Sequence, residues 1–286
     1  MASNLTLRIA FAAVAIPLAV GIVWLGGWPF AITLAALGVL GAREIYDLAR
    51  RQGFDALDRT GCIAAAAIPL LAYWAKGSEI HWAEPALYLG AVWLMVTLVV
   101  AMLRRGPTGK PLAVVSVTLF GCLYASALLA FLIPIRHGAN AANRPFAYLC
   151  LTLFPMVITW IGDTAAMAVG IKVGGPKLAP VLSPNKTRSG AVGGFVGSII
   201  TALVLGLLVL NRVGWSFAVW QLVTVGAVVG VVAQVGDIAE SLFKREAGVK
   251  DSSNLIPGHG GVLDRLDSLY FVVPAAAGLF RVFGVI

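Results

Sequence analysis

Residues 226–245 read GAVVGVVAQVGDIAESLFKR, an uncharged run that ends abruptly in Asp237, Glu240, Lys244 and Arg245. A helix built this way is apolar all round rather than along one stripe, which suits lipid, and its charges mark where it reaches water. The rest of the chain repeats the pattern. Of its 286 residues 59% are hydrophobic and 12% charged, against roughly 25% charged in soluble domains, too few to cover a water-facing surface. Apolar stretches near 5–25, 28–49, 60–76, 84–103, 111–133, 146–170, 190–210, 215–240 and 265–284 each approach the ~20 residues that cross a bilayer. The third is interrupted by Pro69, and 170–189 is too polar and proline-rich to span. Only helices and closed barrels satisfy their backbone in lipid, and these runs are too long and too evenly apolar for barrel strands. The expected fold is an all-α integral membrane protein, a polytopic bundle of about nine transmembrane helices. It forms a single membrane domain over 1–286, with N-terminal helices in 1–140 and the motif-bearing part in 141–286.

Basic residues fix the expected orientation, because Lys and Arg accumulate in cytoplasmic loops. A cytoplasmic N-terminus puts Arg50, Arg51, Arg59, Arg104, Arg105, Lys110, Lys172, Lys177, Lys186, Arg188, Lys244, Arg245, Lys250 and Arg265 inside, and leaves only Lys76, Arg136, Arg144, Arg212 and Arg281 outside. The net charge of +8 therefore reads as a topology signal and an attraction to anionic head groups, and no nucleic-acid partner is expected. Cys62, Cys122 and Cys150 lie in or beside apolar stretches without metal-ligand spacing, as small buried hydrophobes do. The first apolar stretch is too long for a secretory signal and is read as a retained span.

Acids within such runs cost at least ~2.5 kcal/mol near a helix centre and need a reason. Asp163 follows VITWIG; Asp237, Glu240 and Ser241 share one helix face; Asp264 and Asp267 stand three apart in DRLD before the last span. Pairing of Asp237 and Glu240 with Lys244 or Arg245, and capping by Asp264, would explain each singly. Convergence of carboxylates from two consecutive helices suits Mg²⁺, which takes one or two carboxylates together with phosphate oxygens and water. The intervening connector adds Lys244, Arg245, Lys250 and Arg265, with Gly258, Gly260 and Gly261 able to turn backbone N–H groups toward an anion. Pro257-Gly258 and His259 are equally read as an ordinary turn. The loop KVGGPKLAPVLSPNKTRSG, before a helix expected to begin near Ala191, offers Lys177, Ser183, Lys186, Thr187 and Arg188 in the same compartment. Its basic residues are also those already counted for topology.

The ordered series Ser241-Leu-Phe-Lys244-Arg245, Lys250-Asp251, Pro257-Gly-His259-Gly260-Gly261 and Asp264-Arg265-Leu-Asp267 resembles the signature of the phosphatidate cytidylyltransferases. WIGDTAAMAVG and LSPNKTRSGAVGG look like that family's Gly-Asp-Thr and Ser-Pro-x-Lys-Thr elements. The sequence departs from the family pattern at Arg188-Ser189, where Trp-Glu is usual, and at Ala165-Ala166, where an aromatic residue is usual. Upstream the likeness rests on hydropathy and on Glu44 in AREIYDLAR.

The resemblance implies transfer of CMP from CTP to phosphatidic acid, giving CDP-diacylglycerol and pyrophosphate at the cytoplasmic edge of a bacterial inner membrane. It implies Mg²⁺, paired with a monovalent cation such as K⁺, held by Asp237 and Asp264, with Asp267 as a third ligand or as a group orienting Arg265, and Asp163 as the next candidate ligand. Lys244 and Arg265 join Asp237 and Asp264 as the catalytic set, and Ser183, Lys186, Thr187, Arg188, Ser241, Arg245, Lys250, His259, Gly260 and Gly261 as substrate-binding positions. A homodimer is the expected assembly of such a bundle. A change of Asp264 to Asn is expected to abolish turnover, and Glu44→Gln to be mild beside it. A transporter is the rival class, since intramembrane acids also line ion paths; its site would not need basic residues gathered at one surface.

Overall fold

A computed structural model describes residues 4–76, 83–256, 258 and 260–286, with side chains from residue 13 onward. Its helices are α1 (Asn4–Leu25), α2 (Gly27–Arg51), α3 (Asp58–Lys76), α4 (Ala83–Arg105), α5 (Pro111–Arg136), α6 (Pro145–Val173), α7 (Arg188–Leu210), α8 (Val219–Glu246), α9 (Leu263–Leu266) and α10 (Leu269–Val282). Between α6 and α7 lies a two-stranded antiparallel hairpin, β1 (Lys177–Ala179) and β2 (Ser183–Thr187). Among the described residues six helices, α2 and α4 to α8, are long and apolar enough to cross a membrane. The protein is an α-helical membrane protein, with six such helices against the nine apolar stretches of the sequence. The described apolar part of α1, Ala13–Leu25, is shorter; α10 is 14 residues long.

Contacts divide the chain into two compact units, Met1–Ile133 with Glu246–Arg265, and Pro134–Arg245 with Leu266–Ile286. The segment 246–265, which sequence pattern groups with the C-terminal half, thus packs with the N-terminal helices.

In the first unit Tyr46 ties α2 to α5: its hydroxyl donates to Thr118 O at 2.9 Å, and its ring lies where side chains at Gly61 and Gly121 would stand. Thr118 Oγ1 in turn accepts from Leu57 N at 2.9 Å, holding the start of α3. Pro69 does not interrupt α3. Proline cannot donate to the carbonyl four residues back, and here that carbonyl, Ala65 O, accepts from Ser126 Oγ at 2.5 Å. The turn between α2 and α3 carries an ion network in which Arg50 meets Asp47, Asp55 and Asp58, and Arg105 meets Asp55.

The second unit is organised by close approach of α6 and α7. Gly162, Ala166 and Gly170 on α6 face Gly190, Gly194 and Ser198 on α7, a four-residue repeat of small side chains that lets two membrane helices touch backbone to backbone. A Cβ on Gly190 would stand 2.8 Å from Ala166 O, and one on Gly194 2.9 Å from Ala166 Cβ. Helix α8 repeats the device with Gly226 and Gly230, which pack on Ile199 and Ser198 of α7.

Residues 172–189, read from sequence as an open loop, pair as β1 and β2 instead. Lys177 lies opposite Thr187 and Ala179 opposite Ser183, and Arg188 N donates to Pro176 O at 2.9 Å, so the backbone is satisfied within the segment. Helix α7 accordingly starts at Arg188, three residues before the expected Ala191. Thr187 is its N-cap, with Oγ1 accepting from Gly190 N at 3.1 Å.

Candidate functional site

Chemistry-bearing residues fall into one cluster in each unit. In the second unit they surround a cavity of about 620 Å³ lined by Asp163, Met167, Gly170 and Ile171 of α6, Lys177, Asn185, Lys186 and Thr187 of the hairpin, and Gln234 and Asp237 of α8. Lys186 Nζ stands 2.5 Å from Asp237 Oδ2, both side chains less than a third exposed. Asp163 and Asp267 lie within electrostatic reach of Asp237, and Lys186 acts on both. Gly236 makes this possible: a Cβ there would lie 2.8 Å from Asp267 O and 3.2 Å from Ser268 Cα, so only glycine lets α8 come so near the chain at 267–268. Gln234 Nε2 donates to Gly230 O at 2.9 Å and Ala191 O at 3.2 Å, fixing α8 to the start of α7 beside the cavity.

Glu240, on the same face as Asp237 in the sequence pattern, is fully buried and meets Lys244 Nζ at 2.5 Å, four residues on. The ordinary pairing holds for Glu240, whereas Asp237 pairs with the hairpin. Ser241 is buried; Arg245 Nε donates to Leu182 O at 3.2 Å at the turn between β1 and β2. Ser183 lies in β2; Arg188 is exposed at the first position of α7. Thr187 spends its oxygen on Gly190 N and lies 3.0 Å from Ser189 Oγ, so its first role is structural.

The first unit holds the other cluster. Asp264, at the start of α9, is buried, and its Oδ2 accepts from Ser252 N at 2.8 Å, Ser252 Oγ at 2.7 Å and Gly261 N at 2.8 Å. Glu44 of α2, also buried, accepts through Oε1 from Ser253 Oγ at 2.7 Å and Val262 N at 3.0 Å, and through Oε2 from Ser252 Oγ at 2.9 Å and Leu263 N at 2.8 Å. Three consecutive amides, 261 to 263, therefore point at the protein's own carboxylates. At Gly261, read from sequence as able to turn its N–H toward an anion, that N–H donates to Asp264 Oδ2. Gly260, at φ 77°, keeps the turn open beside Asp264 Oδ2, which a Cβ would approach to 2.6 Å. Lys250 and Arg265 are exposed. His259 lies outside the described residues.

All these donors are hard oxygens suited to Mg²⁺. Among the described residues no three His, Cys, Asp or Glu side chains form a ready metal cage, although Asp163, Asp237 and Asp267 act on one another electrostatically. A three-carboxylate cage is not what Mg²⁺ requires, since phosphate oxygens and water complete its octahedron. Carboxylates gathered around one lysine therefore fit the ion.

The chain matches the Cytidylyltransferase family over residues 6–283. It belongs to that family. Relatives named phosphatidate cytidylyltransferase include one from Brucella suis biovar 1, 33% identical over 99% of this chain and 94% of its own, and one from Synechocystis sp., 31% identical over 94% of both. Phosphatidate cytidylyltransferase 5, chloroplastic, from Arabidopsis thaliana is 32% identical over 93% of this chain and 69% of its own. In this member of the cytidylyltransferase family, the sequence pattern located Asp163, Lys186, Asp237 and Asp267. Lys177 was read only as one of the basic residues of the 172–189 loop, and Asn185 and Gln234 were missed as cavity walls and Ser252 and Ser253 as partners of Glu44. The available signal was Glu44 itself, an acid between buried Ala42 and Ile45 on an otherwise apolar helix face.

Proposed function

We propose that this protein transfers CMP from CTP to phosphatidic acid, releasing pyrophosphate and leaving CDP-diacylglycerol in the membrane. Family membership and the names of relatives from bacteria, a cyanobacterium and a plant support the reaction. The observation that carries the reading at the level of residues is the Lys186–Asp237 pair in the wall of the cavity. Met167 and Ile171 line one part of that cavity with apolar surface, while Lys177, Asn185 and Lys186 line another with donors. Such a wall suits a molecule with acyl chains and an anionic head.

A phosphatidate phosphate is already an anion near neutral pH and needs no base. Its oxygen bonds to the α-phosphorus of CTP as the bond from that phosphorus to the bridging oxygen breaks, and pyrophosphate leaves with the electron pair. The obstacle is repulsion between two anions. Lys186, held by Asp237 with both side chains less than a third exposed, and the exposed Lys177 supply positive charge against that repulsion. Mg²⁺ held by aspartate oxygens would add Lewis-acid neutralisation of the triphosphate. Asp163, Asp237 and Asp267 are the second unit's candidates for holding it, and Asp264 the first unit's; a monovalent cation such as K⁺ is the proposed companion.

The finer topology belongs to the same proposal: nine spans including α1, α3 and α10, a cytoplasmic N-terminus, a bacterial inner membrane and catalysis at the cytoplasmic face, in a homodimer. Its support is the placement of Arg50 and Arg51, Arg104 and Arg105, Lys172, and Lys244 and Arg245 in the last turns of α2, α4, α6 and α8. Radiolabelled CTP supplied with phosphatidic acid to the purified protein tests the reading. Label is expected in extracted lipid with Mg²⁺ and not with EDTA. Cation flux in liposomes without any such incorporation would replace it with a transporter.

A further inference from the structure

Glu44 lies about two hundred residues from the motif it touches, yet it accepts four hydrogen bonds from the segment 252–263. All four partners are donors. A carboxylate accepts at both oxygens, which is what four donors require. A carboxamide of the same shape would turn an NH₂ toward two of them. Burial makes that mismatch costly, because an unsatisfied donor pair cannot find water.

Ser252 links this anchor to the signature aspartate. Its hydroxyl lies 2.9 Å from Glu44 Oε2 and 2.7 Å from Asp264 Oδ2. One hydroxyl carries one proton, so the two carboxylates share a single donor and each constrains where the other sits. The remaining charge is met by amides in succession, Gly261 N for Asp264 and Val262 N and Leu263 N for Glu44. A Cβ on Gly261 would collide with Ser252 Oγ and both Glu44 oxygens, so the turn closes only around glycine. Glu44 is itself held from behind: two residues on, Tyr46 is bonded to Thr118 O and wedged against Gly61 and Gly121.

We propose that Glu44 is a positioning residue for cytidylyl transfer. It pins the 252–263 turn to α2 and, through Ser252, sets the direction in which Asp264 presents its carboxylate. This rests on the function proposed above and reverses the sequence expectation that Glu44→Gln is mild.

The test pairs two measurements on the full-length protein in detergent. Hydrogen–deuterium exchange, run without nucleotide or metal, reads the anchor directly. Glu44→Gln is expected to speed exchange of peptides covering 252–266, and Ser252→Ala to do so less, since Ser253, Val262 and Leu263 still hold Glu44. Steady-state turnover of CTP and phosphatidic acid across a Mg²⁺ titration reads the positioning. Both variants are expected to lower kcat by roughly tenfold or more, with half-saturation moved to higher Mg²⁺ and KM for CTP changed less. Glu44→Asp is expected to recover part of kcat by restoring the acceptors. Unchanged exchange in Glu44→Gln overturns the anchor. Faster exchange with wild-type kcat and Mg²⁺ dependence in both variants reduces Glu44 to a structural residue and overturns the positioning role. Absence of turnover in the wild type sinks the proposed function instead, and the exchange result stands apart from it. If Glu44→Gln does not fold, Ser252→Ala decides, because it cuts the link to Asp264 and leaves the anchor in place.

Discussion

Removing the charge of Lys186 tests the cavity most directly. Lys186→Met keeps the apolar stem and deletes the ammonium that lies 2.5 Å from Asp237. At that separation the gross attraction is about 7 kcal/mol for an effective dielectric of ~20, most of it offset by desolvation. Exposed pairs retain ~0.2–1 kcal/mol, and buried ones lose ~3–5 kcal/mol when one partner is deleted. With side chains 28% and 30% exposed, this pair falls between those limits. That range bears on folding; for the reaction, losing a charged hydrogen bond to a substrate phosphate costs about 1.5–3 kcal/mol, a fall of roughly 10- to 150-fold in kcat/KM. The assay is incorporation of radiolabelled CTP into lipid in mixed micelles, with Mg²⁺ fixed and each substrate varied. The double variant Lys186→Met/Asp237→Asn removes both charges and separates two roles. If the pair serves only folding, the double variant regains both melting temperature and activity; stability regained without activity assigns the loss to the reaction, and Asp237→Asn alone then shows how much of it belongs to the carboxylate. Activity of Lys186→Met within about twofold of wild type, below what any net phosphate contact would give, refutes the assignment.

Asp264→Asn is expected to leave the protein folded in detergent, because the amide oxygen can still accept from Ser252 and Gly261, and to abolish turnover; full activity would remove Asp264 from the reaction. Gly194→Leu should separate α6 from α7, since even a Cβ stands 2.9 Å from Ala166 Cβ; an overpacking cost of ~1–3 kcal/mol predicts a clear drop in melting temperature, and an unchanged melt contradicts the close packing. Asp55 provides a pH test outside the spans. Its burial opposes ionisation, but hydrogen bonds and charge from Arg105 and Arg50 outweigh that and hold its carboxyl below the ordinary range. A depressed folded-state value stabilises above the unfolded pKa of about 3.9, and the benefit is lost as pH falls through the folded value. Wild type should therefore lose melting temperature in acid more steeply than Asp55→Asn, and parallel curves would show that the network contributes nothing there.

Legibility in the sequence followed the range of the interaction. The apolar run 226–236 ending at Asp237 announces a membrane helix because hydropathy is a local property, and α8 follows that run through to Glu246. The signature residues were legible because they stand in fixed order over a short segment. Pairings across the chain left no such trace. Nothing in 172–189 showed that Lys177 would face Thr187 in a hairpin, since its prolines and glycines equally suit an open loop. Pro69 looked like a break because its consequence, an orphaned Ala65 carbonyl, is cancelled by Ser126, which lies far along the chain. Glu44 entered the sequence reading only through the family likeness of AREIYDLAR, because its four donors belong to a segment two hundred residues away.

The acids of this protein differ less in type than in what faces them, and that sorts their roles. Asp47, Asp55 and Asp58 meet the guanidinium of Arg50, with Arg105 also on Asp55, so their charge is already balanced in the turn that joins α2 to α3. Glu44 and Asp264 meet hydroxyls and amides, which satisfy oxygen lone pairs and hold each carboxylate in a fixed direction. Asp163 and Asp237 answer to Lys186, while Asp267 answers to the Ser268 N–H and to Lys244 before Lys186. Acids grouped this closely are expensive near lipid. Under the proposed reaction the expense has a reason, since they are the groups that would meet the cation accompanying a triphosphate.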